Sequence, residues 1–408
     1  MPGLDRALSG ALSIADIRAL ARRNLPRFVF EFIDGGAEDE FTLARNRADF
    51  ESIALLPRVL VDVSRPSLAT SILGAPAAAP MVVSPMGSCS LGWPDADVAI
   101  ARAAAAHGIP YTLSTMATTS LETLARTVPG RLWFQLYVLR DRALTASLVD
   151  RANAAGYEAL VVTLDLPTGG KRERDLRNGI TVPLRLGPTQ LLQIMARPGW
   201  ALRTLRQGSP RYENVRDLAP ADGEAGLTIA AKVGQMLDAA FGWDDLQRVR
   251  DAWPRKLVVK GVQHPRDADR LAAMGVDCIW VSNHGGRQLD GATSAIGALP
   301  AVARAVRGRS EVMIDSGIRR GVDVVKALAS GANHVAFGRP ALFGACAGGE
   351  RGAHRALAIL IDEMERAMKL CGTPDTASIA RSRIVEAPER RTGSAGGRVG
   401  RSRTEADE

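Results

Sequence analysis

The sequence predicts an α/β chain folded as a (β/α)8 TIM barrel, with a helical segment ahead of it and a long insertion after the fourth strand. Eight short apolar runs recur along the chain, most of them continuously apolar, as expected of parallel strands buried on both faces. Ala-rich helical stretches such as "DVAIARAAAAHG" and "HPRDADRLAAMG" separate them, and several end in the glycine that stops a helix. A doubly wound sheet is the competing arrangement, but no GxGxxG follows the first run.

The elements follow in order. Residues 12–50, "LSIADIRALARR" and then "LPRFVFEFIDGGAEDEFTLARNRADF", repeat apolar residues at helical spacing. The strands are expected at 81–84, 111–114, 132–137, 159–165, 257–261, 278–283, 312–317 and 334–339. About ninety residues separate the fourth run from the fifth, far more than an ordinary loop holds, so an insertion is expected at roughly 167–240. Residues 1–385 read as a single barrel domain. The Gly-, Ser- and Arg-rich stretch 386–408 reads as a disordered tail.

Composition narrows the function. Aromatics are only 5%, and no basic-aromatic interleaving appears, so the net charge of +8 does not point to nucleic acid. The four cysteines (Cys89, Cys278, Cys346, Cys371) are scattered without metal-type spacing, which suits a reducing compartment and no metal site. No apolar run approaches the ~20 residues that cross a bilayer, and the first residues lack a signal-peptide pattern. The charge is unevenly placed: Leu176 to Tyr212 contains six arginines and no Asp or Glu.

In a barrel of this class the chemistry collects at the carboxyl ends of the strands. Those ends carry Ser84, Ser114, Gln135 with Tyr137, Thr163 with Asp165, Lys260, Ser282 with His284, Asp315, and Gly338 with Arg339. Buried strands that all turn polar at one end imply a shared site. Of the five histidines only His284 stands just past a strand's carboxyl end, followed by Gly285 and Gly286, and it is the candidate base. "DSGIRRG" (315–321) and "FGRP" (337–340) occupy the loops after strands seven and eight, where barrels often bind phosphate. A ligand that carries a phosphate and reaches into the mouth suggests a phosphorylated cofactor.

Together "SNHGGRQLD", "FQLY", "VVTLD", "KGV", "DSGIRRGVDVVKALA" and "FGRP" resemble the FMN-dependent L-2-hydroxy-acid oxidases and dehydrogenases, from about residue 14 to about 385. "RERDLRNG" and "DVSRPSL" are most similar to the mandelate dehydrogenase branch, and parts of the insertion to flavin-type L-lactate dehydrogenases. The resemblance implies FMN as cofactor and His284 as the base, with Asp165 stabilising its imidazolium. It implies Arg287 and Arg172 on the substrate carboxylate and Tyr137 on the substrate oxygen. Lys260 would lie beside the flavin N1 and O2. Ser114, Gln135 and Thr163 would meet the isoalloxazine edge. Pro85, Met86, Gly87 and Ser282 would line the flavin, and Asp315, Ser316, Gly317, Arg319, Gly338 and Arg339 would hold the ribityl chain and phosphate. The competing readings are an Asp165–Lys260 ion pair inside the barrel, a packing role for Tyr137, and a solvated loop around Arg172. A homotetramer is also implied.

Three positions depart from the family pattern. Phe32 stands where a tyrosine usually contacts the substrate carboxylate, removing one hydrogen bond worth ~0.5–3 kcal/mol. Met86 replaces a common threonine, and Met116 replaces a bulky or aliphatic pocket residue, which suits an aryl or longer alkyl substrate. Gly87 matches the mandelate dehydrogenase pattern, whereas several oxidases have Ala there. The leading expectation is oxidation of a mandelate-like or lactate-like L-2-hydroxy acid, with electrons passed to a quinone or other carrier. An oxidase forming hydrogen peroxide is the alternative, and a phosphate-binding barrel without catalysis is the third. "LLQIMARPGWALRTLR" adds an anionic membrane surface as partner, with Trp200 at the interface, and a cytoplasmic protein peripheral at the inner face of the cell membrane. The rival for this segment is a lid whose arginines face an anionic substrate.

Overall fold

The computed structural model of the chain describes residues 2–182, 186–208, 211–215, 227–379 and 384–386. The barrel is closed. Its strands are β1 (Met81–Val83), β2 (Tyr111–Ser114), β3 (Leu132–Tyr137), β4 (Ala159–Thr163), β5 (Lys256–Val262), β6 (Cys278–Val281), β7 (Glu311–Ile314) and β8 (His334–Phe337). Each pairs in parallel with its sequence neighbours, and β8 pairs with β1. All eight expected strands form, but several stop one to three residues earlier than the apolar runs suggest. Ser84, Asp165, Ser282, Asn283 and Asp315 therefore lie just beyond the ladder, where the backbone turns over the mouth.

Four helices precede the barrel: α1 (Pro2–Ser9), α2 (Ile14–Asn24), α3 (Arg27–Asp34) and α4 (Phe41–Ser52). Ser13 caps α2 by accepting from the Asp16 N–H. α3 buries Phe28, Val29, Phe30, Phe32 and Ile33, which seats it against the body of the protein and sends Phe32 and Ile33 to the mouth. The helices that follow are α5 (Ala96–Ala106), α6 (Leu121–Thr127), α7 (Arg142–Ala154), α8 (Glu173–Arg177), α9 (Pro188–Met195), α10 (Pro198–Gln207), α11 (Ile229–Met236) and α12 (Trp243–Ala252). The last four are α13 (Pro265–Ala273), α14 (Ala295–Val306), α15 (Gly321–Ala329) and α16 (Arg339–Leu370). α16 is broken by non-helical Gly348 and Gly349.

The barrel interior is filled rather than open. Trp133, Trp280, Met313, Val82 and Val258 form its core, all at 0% exposure. A hairpin of Thr70–Ile72 and Ala75–Ala77, not legible as a strand pair in the sequence, packs Ile72 and Leu73 into the same cluster. Glu311 accepts from the Leu73 N–H and ties this hairpin to the amino end of β7. A second antiparallel pair joins Ile53–Leu55 to Ile384–Glu386, and the rest of the tail lies outside the described residues.

Between β4 and β5 the insertion forms α8 to α11 and short paired strands at 181–182 and 227–228. Arg185 lies outside the described residues. Trp200 corrects an expectation: it is 5% exposed, not interfacial. Its ring meets Phe28 edge-on at 6.1 Å and its indole N–H donates to the Leu91 carbonyl at 2.9 Å. An indole satisfied on both counts gains more from the protein than from a lipid boundary. Leu191, Leu192, Met195, Leu202 and Leu205 face outward instead, at 48% to 80% exposure.

Candidate active site

Past β6 the chain makes an abrupt turn. Ser282 is fully buried, and its Oγ accepts from Lys260 Nζ at 2.7 Å and from the His284 N–H at 3.1 Å. His284, Gly285 and Gly286 are all left-handed, with φ of 57°, 67° and 73°. A Cβ on Gly286 would stand 2.6 Å from the Leu43 nitrogen, so α4 can approach only a glycine here. This turn places the imidazole in the cleft at the barrel mouth.

The ring is held from both sides. His284 Nδ1 lies 3.1 Å from Asp165 Oδ1, and Nε2 lies 3.4 Å from the Tyr137 hydroxyl. A carboxylate at Nδ1 keeps the proton there and leaves the Nε2 lone pair directed at Tyr137 and the cleft. Burial lowers the His284 pKa below 6.5; Asp165 opposes this and Lys260 adds to it, so the imidazole is neutral at neutral pH. Burial works against the Asp165 charge, yet His284 and Lys260 hold that carboxyl below the ordinary range. Room for Asp165 comes from Gly261, where a Cβ would sit 2.7 Å from the Asp165 side chain. Burial, and then the Asp165 charge, push the Tyr137 hydroxyl up, so it stays protonated.

Two guanidinium groups border this unit. One nitrogen of Arg287 donates to the Phe32 and Gly35 carbonyls, both at 2.8 Å, and the guanidinium lies 5.4 Å from the centre of the Phe32 ring. Phe32 thus holds Arg287 by backbone and ring face, although it offers no hydroxyl of its own. Arg172 is held loosely, by 3.5 Å contacts to the Arg287 carbonyl and Gln288 Oε1. Burial and then the Arg287 charge depress Arg172 to about 9, which leaves it cationic. Arg172 lines the cleft and is only partly exposed, unlike a solvated loop residue.

Strand register assembles the remaining polar groups. Ser114 pairs with Gln135, Tyr137 with Thr163, and Thr163 with Lys260. The Ser114 hydroxyl donates to Gln135 Oε1 at 3.1 Å. At these strand ends, four polar atoms of the described residues are buried without partners: Gln135 Nε2, Thr163 Oγ1, Ser84 Oγ and Asp165 Oδ2. Each such atom is destabilising by ~1–3 kcal/mol, so a cluster of them at the strand ends points to a polar ligand. Lys260, 3% exposed, lies 3.4 Å from Asp315 Oδ2, so the ion pair in the barrel is with Asp315 rather than Asp165.

The two glycine-arginine loops differ. After β7, Asp323 Oδ2 already accepts from the Arg319 and Arg320 N–H groups. Ser316 is likewise engaged: it accepts from the Gly285 N–H at 2.9 Å and donates to Asp315 Oδ1 at 2.7 Å. The Arg319 side chain donates to the Ile318 carbonyl beside the cleft. After β8, Gly338 caps α16, whose first N–H groups have no partner within the helix. Arg339 spends three donors on the Ile33, Gly285 and Gly35 carbonyls, each within 3.0 Å. It therefore also anchors α3 and the His284 loop.

The cleft encloses about 1130 Å³ including its opening to solvent. Pro85, Met86, Gly87 and Met116 line one wall; Asp315, Ser316, Gly317, Arg319, Gly338 and Arg339 line another. Sequence reasoning missed Leu166 and Val233, which add apolar surface at 6% and 9% exposure. Leu166 directly follows Asp165 and was open to the same strand-end argument. Val233 comes from α11, deep in the insertion, where nothing local marks it.

The model of the FMN-dependent dehydrogenases matches residues 21–386. The chain belongs to that family. It is 41% identical to the (S)-mandelate dehydrogenase of Pseudomonas putida over 369 residues, 90% of this chain and 92% of that one. It is 42% identical to an L-lactate oxidase of Nostoc sp., over 90% and 96% of the two chains. The crystal structure of the monotopic membrane protein (S)-mandelate dehydrogenase superposes with a TM-score of 0.87 at 39% identity, covering 92% and 100%.

The cleft fits FMN. The unpaired Ser84 hydroxyl in the lining suits the polar edge of a flavin ring, and the buried Lys260 ammonium suits charge gained on reduction, whereas Gln135 and Thr163 end neighbouring strands without lining the cleft. The α16 amino end suits a phosphate. Gly338 leaves space that a side chain would share with Met86, whose Sδ would stand 3.2 Å from an added Cβ.

Proposed function

We propose that this FMN-dependent dehydrogenase oxidises an L-2-hydroxy acid to the 2-oxo acid and passes the electrons to a quinone or another carrier. The observation that carries the reading is the Asp165–His284–Tyr137 relay, with 3.1 Å and 3.4 Å contacts, at a cleft that Arg172 and Arg287 also line. Arg172 and Arg287 take the substrate carboxylate in a two-pronged grip. Tyr137 donates to the substrate oxygen. The neutral His284 Nε2 removes a proton from the α-carbon or the hydroxyl, and Asp165 offsets the charge that the ring gains. FMN, held by Asp315, Gly338 and Arg339 along the cleft wall, would supply the two-electron acceptor. Lys260 supplies a nearby positive charge, and Ser282 keeps its ammonium oriented.

Phe32, Met116, Leu166 and Val233 give the pocket an apolar side. That supports a substrate with an aryl or alkyl group, mandelate-like before lactate-like. Anaerobic mixing of the yellow protein with L-mandelate, L-lactate, glycolate and longer acids tests this. Bleaching fastest with the aryl or longer-chain acids is expected; fastest bleaching with glycolate would contradict the pocket argument.

A second reading sends the electrons to oxygen, and the similarity to an L-lactate oxidase supports it. Gly87 favours the dehydrogenase by its match to the mandelate dehydrogenase pattern, and an added Cβ there would stand 3.0 Å from Met116 Cβ. Oxygen consumption measured against quinone or dye reduction separates the two.

Membrane association through α9 and α10 is part of the proposal. Five exposed Leu and Met side chains, Arg197 and Arg206, and the acid-free sequence support an anionic bilayer as partner.

A further inference from the structure

Asp175 is a buried charge that the proposed chemistry leaves unused. It lies in α8, three residues after Arg172, and is 2% exposed. Its Oδ2 is buried with no hydrogen-bond partner. An acidic residue at the third position of a helix ordinarily reaches back to the N–H of the cap residue, here Arg172. A carboxylate serving that structural role would have its oxygens engaged. An unengaged one is costly to bury unless opposite charge compensates it.

The compensating charge is the carboxylate clamp itself. Burial lifts the Asp175 pKa, and Arg287 and Arg172 pull it back down. Asp175 in turn raises both arginines. Asp175 Oδ2 makes no hydrogen bond to either arginine among the described residues, so an influence on them would pass through the field and not through a bond. Arg172, with only two 3.5 Å contacts, is free to respond to that field.

We propose that Asp175 tempers the clamp: a countercharge set back from the cleft that weakens the hold of Arg172 and Arg287 on a carboxylate, so that the oxo-acid product can leave. The inference rests on the clamp assigned above. Substrate and product carry the same carboxylate, so the clamp binds both alike. Such uniform binding lowers KM without speeding the chemical step, and an over-strong clamp makes product release limiting.

The test uses the yellow holoenzyme at about pH 7, above the ordinary carboxylate range and well below the Arg172 value of about 9. Asp175→Asn keeps the shape and removes the charge, Asp175→Ser removes both and admits water, and Asp175→Glu keeps the charge. Binding of the 2-oxo acid is measured by calorimetry and by product inhibition. Both uncharged variants are expected to bind it about threefold to tenfold more tightly. Their KM falls in step, the first-turnover rate stays within about twofold, and steady turnover slows. Asp175→Glu behaves as the unaltered protein. Arg172→Met serves as the control and is expected to weaken oxo-acid binding by about tenfold or more. If Asp175→Asn and Asp175→Ser bind the oxo acid equally or more weakly while Arg172→Met loses affinity, the tempering role is overturned and the clamp stands. If Arg172→Met binds the oxo acid as before, the clamp assignment itself fails.

Discussion

At the scale of single residues the proposed chemistry needs His284 to be neutral and aimed. Its pKa is lowered by burial, with Asp165 opposing, so the base form persists down to a pH below 6.5. Substrate oxidation by the holoenzyme should therefore be level through neutral pH and fall as pH drops through a value below 6.5; an inflection above 7 would contradict this. Asp165→Asn removes the opposing charge, so the inflection should move lower still. The rate at neutral pH should fall about 10²-fold or more, because the imidazolium loses its partner. Both are read from the pH dependence of anaerobic bleaching. His284, Asp165 and Lys260 were legible in the sequence, because each stands at a strand's end beside glycine or a polar neighbour. The partner of Lys260 was not legible, since Asp165 and Asp315 both follow strands and only the folded arrangement separates them. Nor was the service of Phe32, whose ring and carbonyl hold Arg287. That contact joins α3 to a loop more than 250 residues later, and no local pattern encodes it.

At the scale of elements, the strands were readable because burial on both faces demands unbroken apolar runs. Their ends were overextended because the runs were carried on through the polar residues Ser84, Asp165 and Asp315, whose backbone has already left the ladder. The hairpin at 70–77 escaped notice because its strands are three residues long and half exposed. In the insertion, composition identified a basic segment, but which face it shows depends on what packs beneath. Trp200 turned inward onto Phe28, leaving the leucines outside. Leu191→Asp with Leu192→Asp should reduce co-flotation with anionic vesicles severalfold and leave bleaching by substrate unchanged. Equal flotation of this variant and the unaltered protein would remove α9 from the membrane proposal.

At the scale of the whole molecule, one barrel separates stability from function. Its middle and lower layers are closed by Trp133, Trp280, Met313 and the hairpin, while the mouth holds the polar groups. Trp133→Ala should destabilise the protein by about 3–5 kcal/mol in denaturant unfolding, since it removes a fully buried ring and the indole bond to Glu158. A loss under about 1 kcal/mol would contradict the filled interior. The mouth is completed by α3, α4 and the insertion, so the assembled holoenzyme is the unit on which the central claim rests. The most direct test mixes yellow His284→Ala and unaltered protein anaerobically with the best L-2-hydroxy acid. The unaltered protein should bleach, and His284→Ala should keep its yellow colour with the bleaching rate reduced at least ~10²-fold. Bleaching of His284→Ala at the rate of the unaltered protein would contradict the assignment of His284 as the base.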